Sequence, residues 1–217
     1  MLNVTIKNVF SCIKTATVIV AHPDDETLWS GGAILAHPQI NWTIMTLCRK
    51  FDPDRAPKFF KVTNILNAKG LMADLDDDPD QKPLEQIEVK TVILNTLPKE
   101  SFDIILTHSP KGEYTRHLRH EEISQAVFSL WNEKKLKAKQ LLLFAYEDGG
   151  GKYLPSPIES ADIVIKLAKN VWQRKKDIII DSYGFSPESF ESKAVSNTEA
   201  FWLLEKPEDI KKIFDRS

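Results

Sequence analysis

The sequence predicts an α/β fold, a doubly wound and mostly parallel sheet with helices on both faces. Three observations carry this. Short β-rich runs alternate with longer segments whose apolar residues recur at helical spacing, the pattern of parallel βαβ units with right-handed crossovers. Of 217 residues, 42% are hydrophobic and 28% charged, enough apolar material for a sizeable core. No internal repeat and no interdomain linker interrupts the pattern, so residues 1–217 are expected to form a single domain.

In chain order, residues 17–21 (TVIVA) read as a buried strand stopped by Pro23. Residues 31–36 (GGAILA) read as part of a helix that stops before His37-Pro38. Residues 42–48 form a second strand, and a long turn over 51–57 leads to a helix over about 58–69, ended by Gly70. Residues 84–97 carry Ile87, Val92, Ile93 and Leu97 at helical spacing. Residues 102–107 are a strand, 120–131 a helix and 141–146 a strand, and amphipathic stretches follow at about 161–182 and 207–215. The charge runs at 74–80 and 134–139 read as solvated loop and helix surface, and Arg174-Lys175-Lys176 as the wet face of a helix. Trp172, Phe185, Phe190, Phe201 and Trp202 read as packing residues.

Charge and composition exclude several classes. With 29 basic and 31 acidic side chains the net charge is −2, which leaves no global field to hold nucleic acid or an anionic membrane. Cys12 and Cys48 are too few for a disulfide scaffold and lack CxxC spacing, so both are expected to be reduced core residues. Lys7 and Lys14 interrupt any signal-peptide apolar region. The longest uncharged stretch, 27–48, contains Ser30-Gly31-Gly32, Pro38, Gln39 and Asn41, and falls short of the ~20 apolar residues a membrane span needs. The expectation is a soluble cytoplasmic protein with a small-molecule partner.

In a doubly wound sheet, ligands bind beyond the carboxyl ends of the strands, where strand order reverses. Two clusters stand at such ends. Residues 21–26 (AHPDDE) follow the first strand, and His108 through Glu122 follow the strand ending at Thr107. Four of the five histidines fall in these segments, all but His37. A lone histidine is ordinarily a satisfied core or surface group, a reading that fits four clustered ones poorly. Imidazole and carboxylate together suit a divalent cation, zinc above all, whose catalytic sites have three protein ligands and one open position. Pro23 fixes the backbone between His22 and Asp24, so Asp24 and Asp25 point different ways. One carboxylate can then bind metal while its neighbour faces the attacking water. In His117-x-x-His120 the second histidine opens a helix, placing one ring on the metal and the other a few ångströms away.

The pair AHPDDE and HxxH, over roughly residues 17–125, resembles the PIG-L/LmbE-like zinc-dependent de-N-acetylases. The resemblance implies a Rossmann-like fold and a Zn2+ ion held by His22, Asp25 and His120. It implies Asp24 as general base, protonated His117 stabilising the oxyanion, and His108 contacting substrate. The reaction implied is removal of an N-acetyl group from an amino sugar or N-acetylglucosaminyl conjugate, releasing acetate and a free amine. Relatives are often oligomers, so a homo-oligomer is one expected state.

The chain departs from that family at several places. Where many relatives have a Thr-x-Gly-Glu segment and an Arg-x-x-Glu pair, this chain has residues 46–55 (TLCRKFDPDR), then Lys58 and Lys61. Arg49 and Arg55 are candidates for contact with an acidic or phosphate-bearing substrate, or are surface arginines. Leu118-Arg119 replaces the Pro-Asp common inside HxxH, and Tyr114 is a candidate helper at the oxyanion. Asp74-x-Asp76-x-Asp78-x-Asp80 with Glu85 nearly matches a calcium loop, but Pro79 stands where the turn needs glycine. Gly149-Gly-Gly151-Lys152 lacks the phosphate-loop pattern and reads as a flexible loop at the pocket rim; no Gly-x-Ser-x-Gly elbow is present. Two alternatives stand beside the deacetylase reading: a metal-dependent hydrolase of another bond, such as a phosphoester, and a non-catalytic metal-stabilised binding protein.

Overall fold

Strand β1 (Thr15–Val20) runs through the middle of a sheet whose two faces are both covered, which is why its sequence is a nearly unbroken apolar run. The computed structural model describes residues 9–80, 82–114 and 116–215; residues 1–7, weighed above as a leader, lie outside them. After β1 come α1 (Asp25–Ala36), β2 (Asn41–Cys48), α2 (Arg55–Ile65), β3 (Ala68–Leu75), α3 (Gln86–Thr96), β4 (Ser101–Thr107), α4 (Leu118–Asn132) and β5 (Lys137–Phe144). A two-stranded ribbon, β6 (Tyr146–Glu147) with β7 (Ser156–Pro157), precedes β8 (Ile163–Lys166), α5 (Lys169–Asp177), α6 (Phe190–Ala194), β9 (Thr198–Leu204) and α7 (Lys211–Asp215). The seven-stranded sheet has the order β3-β2-β1-β4-β5-β9-β8. Its first five strands are parallel, and β9 and β8 close the edge antiparallel. The doubly wound, mostly parallel α/β sheet expected from the sequence is present.

Side-chain alternation along β1 divides the core. Val18 and Val20 pack with Leu28, Trp29, Phe59 and Val62 from α1 and α2. Ile19 packs on the opposite face with Val89, Ile93, Ile123 and Val127 from α3 and α4. The chain thus crosses to one side of the sheet after β1 and β2, and to the other after β3 and β4. Strand order reverses between β1 and β4, so the crevice opens above their carboxyl ends.

The structure corrects four expectations. Gly70 ends no helix; α2 stops at Ile65, Asn67 turns the chain at φ 51°, and Gly70 lies inside β3. A Cβ at Gly70 would fall 2.7 Å from Thr63 Oγ1, so the glycine lets β3 lie close against α2. Residues 161–182 begin with the edge strand β8 before α5, and end in one π-helical turn, Ile178–Ser182. Lys175 is no wet-face residue: it is fully buried, with its Nζ 2.7 Å from Glu199 Oε1. Cys48 is buried as expected, but Cys12 is exposed; both are free thiols. Among the described residues no helix is long and apolar enough to cross a membrane.

Candidate metal centre

The two chemistry-bearing segments leave the sheet side by side. Ile19 of β1 and Thr107 of β4 are register partners, and Thr107 Oγ1 donates to the Ile19 carbonyl at 2.7 Å. One step further on, the Ala21 N–H donates to His108 Nε2 at 2.9 Å. Asp24 then adopts φ 115°, a conformation that side-chain-bearing residues rarely take. Its N–H donates to Glu26 Oε2, and its carbonyl accepts from Thr27 and Leu28 to open α1. The strained turn separates the adjacent carboxylates. Asp24 Oδ2 meets Arg55 Nη1 at 3.2 Å in the cleft, whereas Asp25 turns inward and accepts from Trp29 Nε1 at 3.1 Å.

Asp25 Oδ2 is the point of convergence. His22 Nδ1 lies 3.2 Å from it and His120 Nε2 3.3 Å. His117 stands beside them, its ring centroid 4.7 Å from that of His22 and 4.4 Å from that of His120. Glu113 Oε2 faces Nδ1 of both His120, at 2.7 Å, and His108, at 2.9 Å, while Oε1 accepts the Ser109 N–H. With its Nδ1 occupied by Glu113, His120 turns a buried Nε2 that has no hydrogen-bond partner toward Asp25. Such an orphaned nitrogen beside a carboxylate oxygen and a second imidazole fits a cation: among the described residues Asp25, His108 and His120 bring one oxygen and two nitrogens within 4.8 Å of one another, and His22, His117 and His120 three nitrogens, both zinc donor sets.

The electrostatics follow from burial and neighbours. Burial pulls His120 down, but Asp25 and Glu113 outweigh it and lift its pKa to about 10. His22 is raised in the same way, against its burial, by Asp25 and Asp77. Glu113 is held at about 2, its burial overcome by His108 and His120. A proton on His120 thus sits where its Nε2 and Asp25 Oδ2 face each other. His117 goes the other way: burial and the neighbouring His120 and His22 depress it to about 3, so its ring is neutral. The expectation of a protonated His117 is therefore not met in the ion-free protein. Asp24 is raised well above the usual carboxylate range by burial and by Asp25, with Arg55 opposing.

The cleft over this cluster has a volume of about 380 Å³, and its walls include His22, Asp24, Asp25, Arg55, Tyr114 and His117. Tyr114 lies between His117 and Phe190, its ring 6.1 Å and 5.2 Å from theirs. Phe190 is 40% exposed at the cleft, which sets it apart from the packing role read for it; Phe201 and Trp202 are buried. Arg49 reaches the cleft but is committed to Asp77, with Nε and Nη2 at 2.9 and 2.6 Å from Oδ2. Arg55 is likewise engaged, with Asp24 and over the Phe185 ring. His108 does not reach the cleft: it is fully buried with both ring nitrogens engaged, so as placed it has no surface through which to contact substrate. Gly149 and Gly150 line a neighbouring cavity of about 540 Å³ on the other side of Tyr114, not the rim of this cleft.

Two residues of the site went unread in the sequence. Glu113 stands between two cluster histidines in the chain, yet no sequence pattern assigns it a task. Asp77 belongs to the acidic run expected to be solvated surface, yet its side chain is only 6% exposed, with Oδ1 3.2 Å from His22 Nε2, off the line of a hydrogen bond. The signal for Asp77 is its place beyond the carboxyl end of β3, a strand that the expected helix over about 58–69, ended by Gly70, leaves unassigned.

No family model matches the chain. A curated relative, uncharacterized protein L374 of Acanthamoeba polyphaga mimivirus, is 21% identical over 184 residues, covering 77% of this chain and 75% of its own length. Among solved structures, N,N'-diacetylchitobiose deacetylase from Pyrococcus horikoshii superimposes with a TM-score of 0.69 at 14% identity, over 92% of this chain and 87% of that one. A deacetylase of teicoplanin biosynthesis gives a TM-score of 0.54 at 16% identity, over 83% and 85% of the two chains. GalB, the 4-carboxy-2-hydroxymuconate hydratase of Pseudomonas putida KT2440, gives 0.57 at 16%, over 84% and 82%. This likeness establishes a common fold. Since a hydratase shares it with two deacetylases, chemistry has to be argued from the site.

Proposed function

We propose that the chain is a zinc-dependent hydrolase that removes an N-acetyl group from an amino sugar or N-acetylglucosaminyl conjugate, releasing acetate and a free amine. One observation carries the reading: His22 Nδ1 and His120 Nε2 converge on a single oxygen of Asp25, with Asp24 beside them in the open cleft. His22, Asp25 and His120 would hold the ion. When bound, zinc supplies a Lewis acid that polarises a carbonyl and lowers the pKa of water. The deacetylases among the structural neighbours support an amide substrate.

The remaining residues have complementary tasks. Asp24 takes a proton from the attacking water and passes it to the departing amine; burial and Asp25 raise its carboxylate, which makes it a stronger base for the first half of that transfer. Arg55, 3.2 Å away, fixes its orientation. His117 serves as a neutral donor to the developing oxyanion, and its Nδ1, buried without a hydrogen-bond partner, is unspent. Tyr114, kept protonated by burial and nearby carboxylates, donates beside it. Phe190 offers an apolar wall for one face of a sugar ring. A structural metal site would be closed and need no base, so Asp24 in an open cleft favours catalysis over a metal-stabilised binding role. A single domain working in the cytoplasm belongs to the same reading.

The test is acetate release from N-acetylglucosamine and its oligomers and conjugates, with chelator and with zinc restored. Release abolished by chelator and recovered with zinc is expected. Absence of release across the panel, with zinc bound, overturns the proposal.

A further inference from the structure

We infer that Asp77 is a positioning residue of the metal centre, holding the His22 ring so that Nδ1 faces the ion. The inference rests on the ligand set proposed above.

A neutral imidazole that binds a cation through one nitrogen carries its proton on the other, and the partner of that N–H fixes both tautomer and ring orientation. For His120 the partner is Glu113, 2.7 Å from Nδ1, which leaves Nε2 for the ion. For His22 the arrangement is reversed. Nδ1 faces Asp25 Oδ2 at 3.2 Å, so the proton belongs on Nε2, and the carboxylate oxygen beside Nε2, 3.2 Å away though off the hydrogen-bond line as the ring now sits, is Asp77 Oδ1. Each histidine ligand is thus backed by its own carboxylate.

The loop that delivers Asp77 is anchored from both ends of the site. Arg49 grips Oδ2 with two nitrogens and the Asp77 carbonyl with Nη2 at 3.1 Å. Arg119 is fully buried and donates to the carbonyls of Asp76 and Lys82, and through Nη1 to Glu122 Oε2 at 2.6 Å. Arg119 lies inside the HxxH segment. The turn of α4 that presents His120 therefore also ties down the loop that presents Asp77, and one helix sets both sides of the centre.

The rival is a second cation, because His22 Nε2, Cys48 Sγ and an Asp77 oxygen can also lie within 4.8 Å of one another. Two facts oppose it. The Arg49 guanidinium already neutralises Asp77, and Cys48 is a buried thiol whose ionisation burial resists.

The experiment is a zinc titration of the ion-free full chain against a chromophoric chelator, for wild type, Asp77→Ala, Asp77→Asn and His22→Ala. Expected are one zinc per wild-type chain and an affinity about 10–100-fold weaker in Asp77→Ala. Asp77→Asn, which keeps an acceptor oxygen, should lose less, and the ion-free melting temperature should match wild type, which a merely structural role would not allow. If Asp77→Ala melts lower without zinc, Asp77→Asn carries the comparison. Wild-type affinity in both Asp77 variants, with binding weakened in His22→Ala, overturns this inference alone. A second zinc abolished by Cys48→Ser also overturns it, making Asp77 a ligand. A wild-type chain that binds no zinc overturns both this inference and the reading beneath it.

Discussion

Glu113 Oε2 lies 2.7 Å from Nδ1 of His120 and 2.9 Å from Nδ1 of His108, so one buried oxygen orients two stacked imidazoles whose centroids are 3.8 Å apart. His108 spends its other nitrogen on the Ala21 amide and so ties β4 to the exit of β1. His120 keeps its other nitrogen for Asp25. The same carboxylate therefore joins the frame of the sheet to the proposed metal centre.

Glu113→Gln tests that junction. The substitution keeps the shape but removes the charge that holds two imidazoles, and an amide cannot serve both rings as an acceptor as well as a carboxylate does. Zinc affinity should drop about 10–100-fold. Glu113→Ala, which leaves two buried rings without their partner, should also cost about 3–5 kcal/mol of stability, read by denaturant unfolding of the ion-free protein. Unchanged zinc affinity in both variants would remove Glu113 from the centre.

Asp24 separates catalysis from metal binding. It lies beside the proposed ligands and touches Arg55 rather than the histidine cluster. Asp24→Asn should bind zinc as wild type does and lose about 10²–10⁴-fold in acetate release, the usual scale of general acid–base assistance. The strained φ of 115° sharpens the test, because Asn is among the residues that best tolerate a positive φ. Zinc content by metal analysis and turnover are both needed. Retained turnover would pass the proton-transfer role to another group.

Proton linkage gives a third test. In the ion-free protein His120 has a pKa near 10, lifted from the ordinary 6.5. A raised histidine contributes stability that is fully present below the unfolded value and is lost as pH rises toward 10. The ion-free melting temperature should fall between pH 7 and 10, with a ceiling of about 1.4 kcal/mol per pH unit for one proton. Zinc must displace that proton, so its affinity should rise up to about tenfold per pH unit over the same interval. Calorimetric titration in two buffers of different ionisation enthalpy should detect at least one proton released at pH 7.5. Affinity flat from pH 6 to 9 would contradict the placement of that proton.

What the sequence disclosed follows from where each signal lies. AHPDDE and HxxH are local patterns at the ends of two strongly apolar strands, so the switch point and four clustered histidines were legible. Asp77 was not, because its meaning depends on β3, and β3 was masked by Gly70. A glycine after a helical pattern reads as a stop, whereas here it admits the close approach of β3 to α2, a tertiary fact. Glu113 was visible but unassigned, since only folding shows that one oxygen reaches both His108 and His120. The edge strands β8 and β9 carry Lys166 and Glu199 among their apolar residues and were obscured for a related reason. Glu199 is charged because it serves a helix at a distance in the chain.

That distant service supports the last prediction. Glu199 Oε1 lies 2.7 Å from both Lys175 Nζ and the Gly32 amide, and Oε2 accepts from Ala33 at 2.8 Å, all in the interior. The close approach requires the bare backbone of Gly32, since a Cβ there would fall 2.5 Å from the Leu167 methyls and 3.0 Å from Glu199 Oε1. Lys175→Met leaves the Glu199 charge buried with only amide partners, and should destabilise by about 3–5 kcal/mol. Lys175→Met combined with Glu199→Gln removes both charges and keeps a carbonyl for one amide, so it should recover part of that loss. Denaturant unfolding of these two variants, of Glu199→Gln alone and of wild type reads the coupling as a double-mutant cycle. Zinc affinity should stay at the wild-type value throughout, because neither side chain contacts the histidine cluster. Additive losses would show that Lys175 and Glu199 act independently despite their 2.7 Å contact.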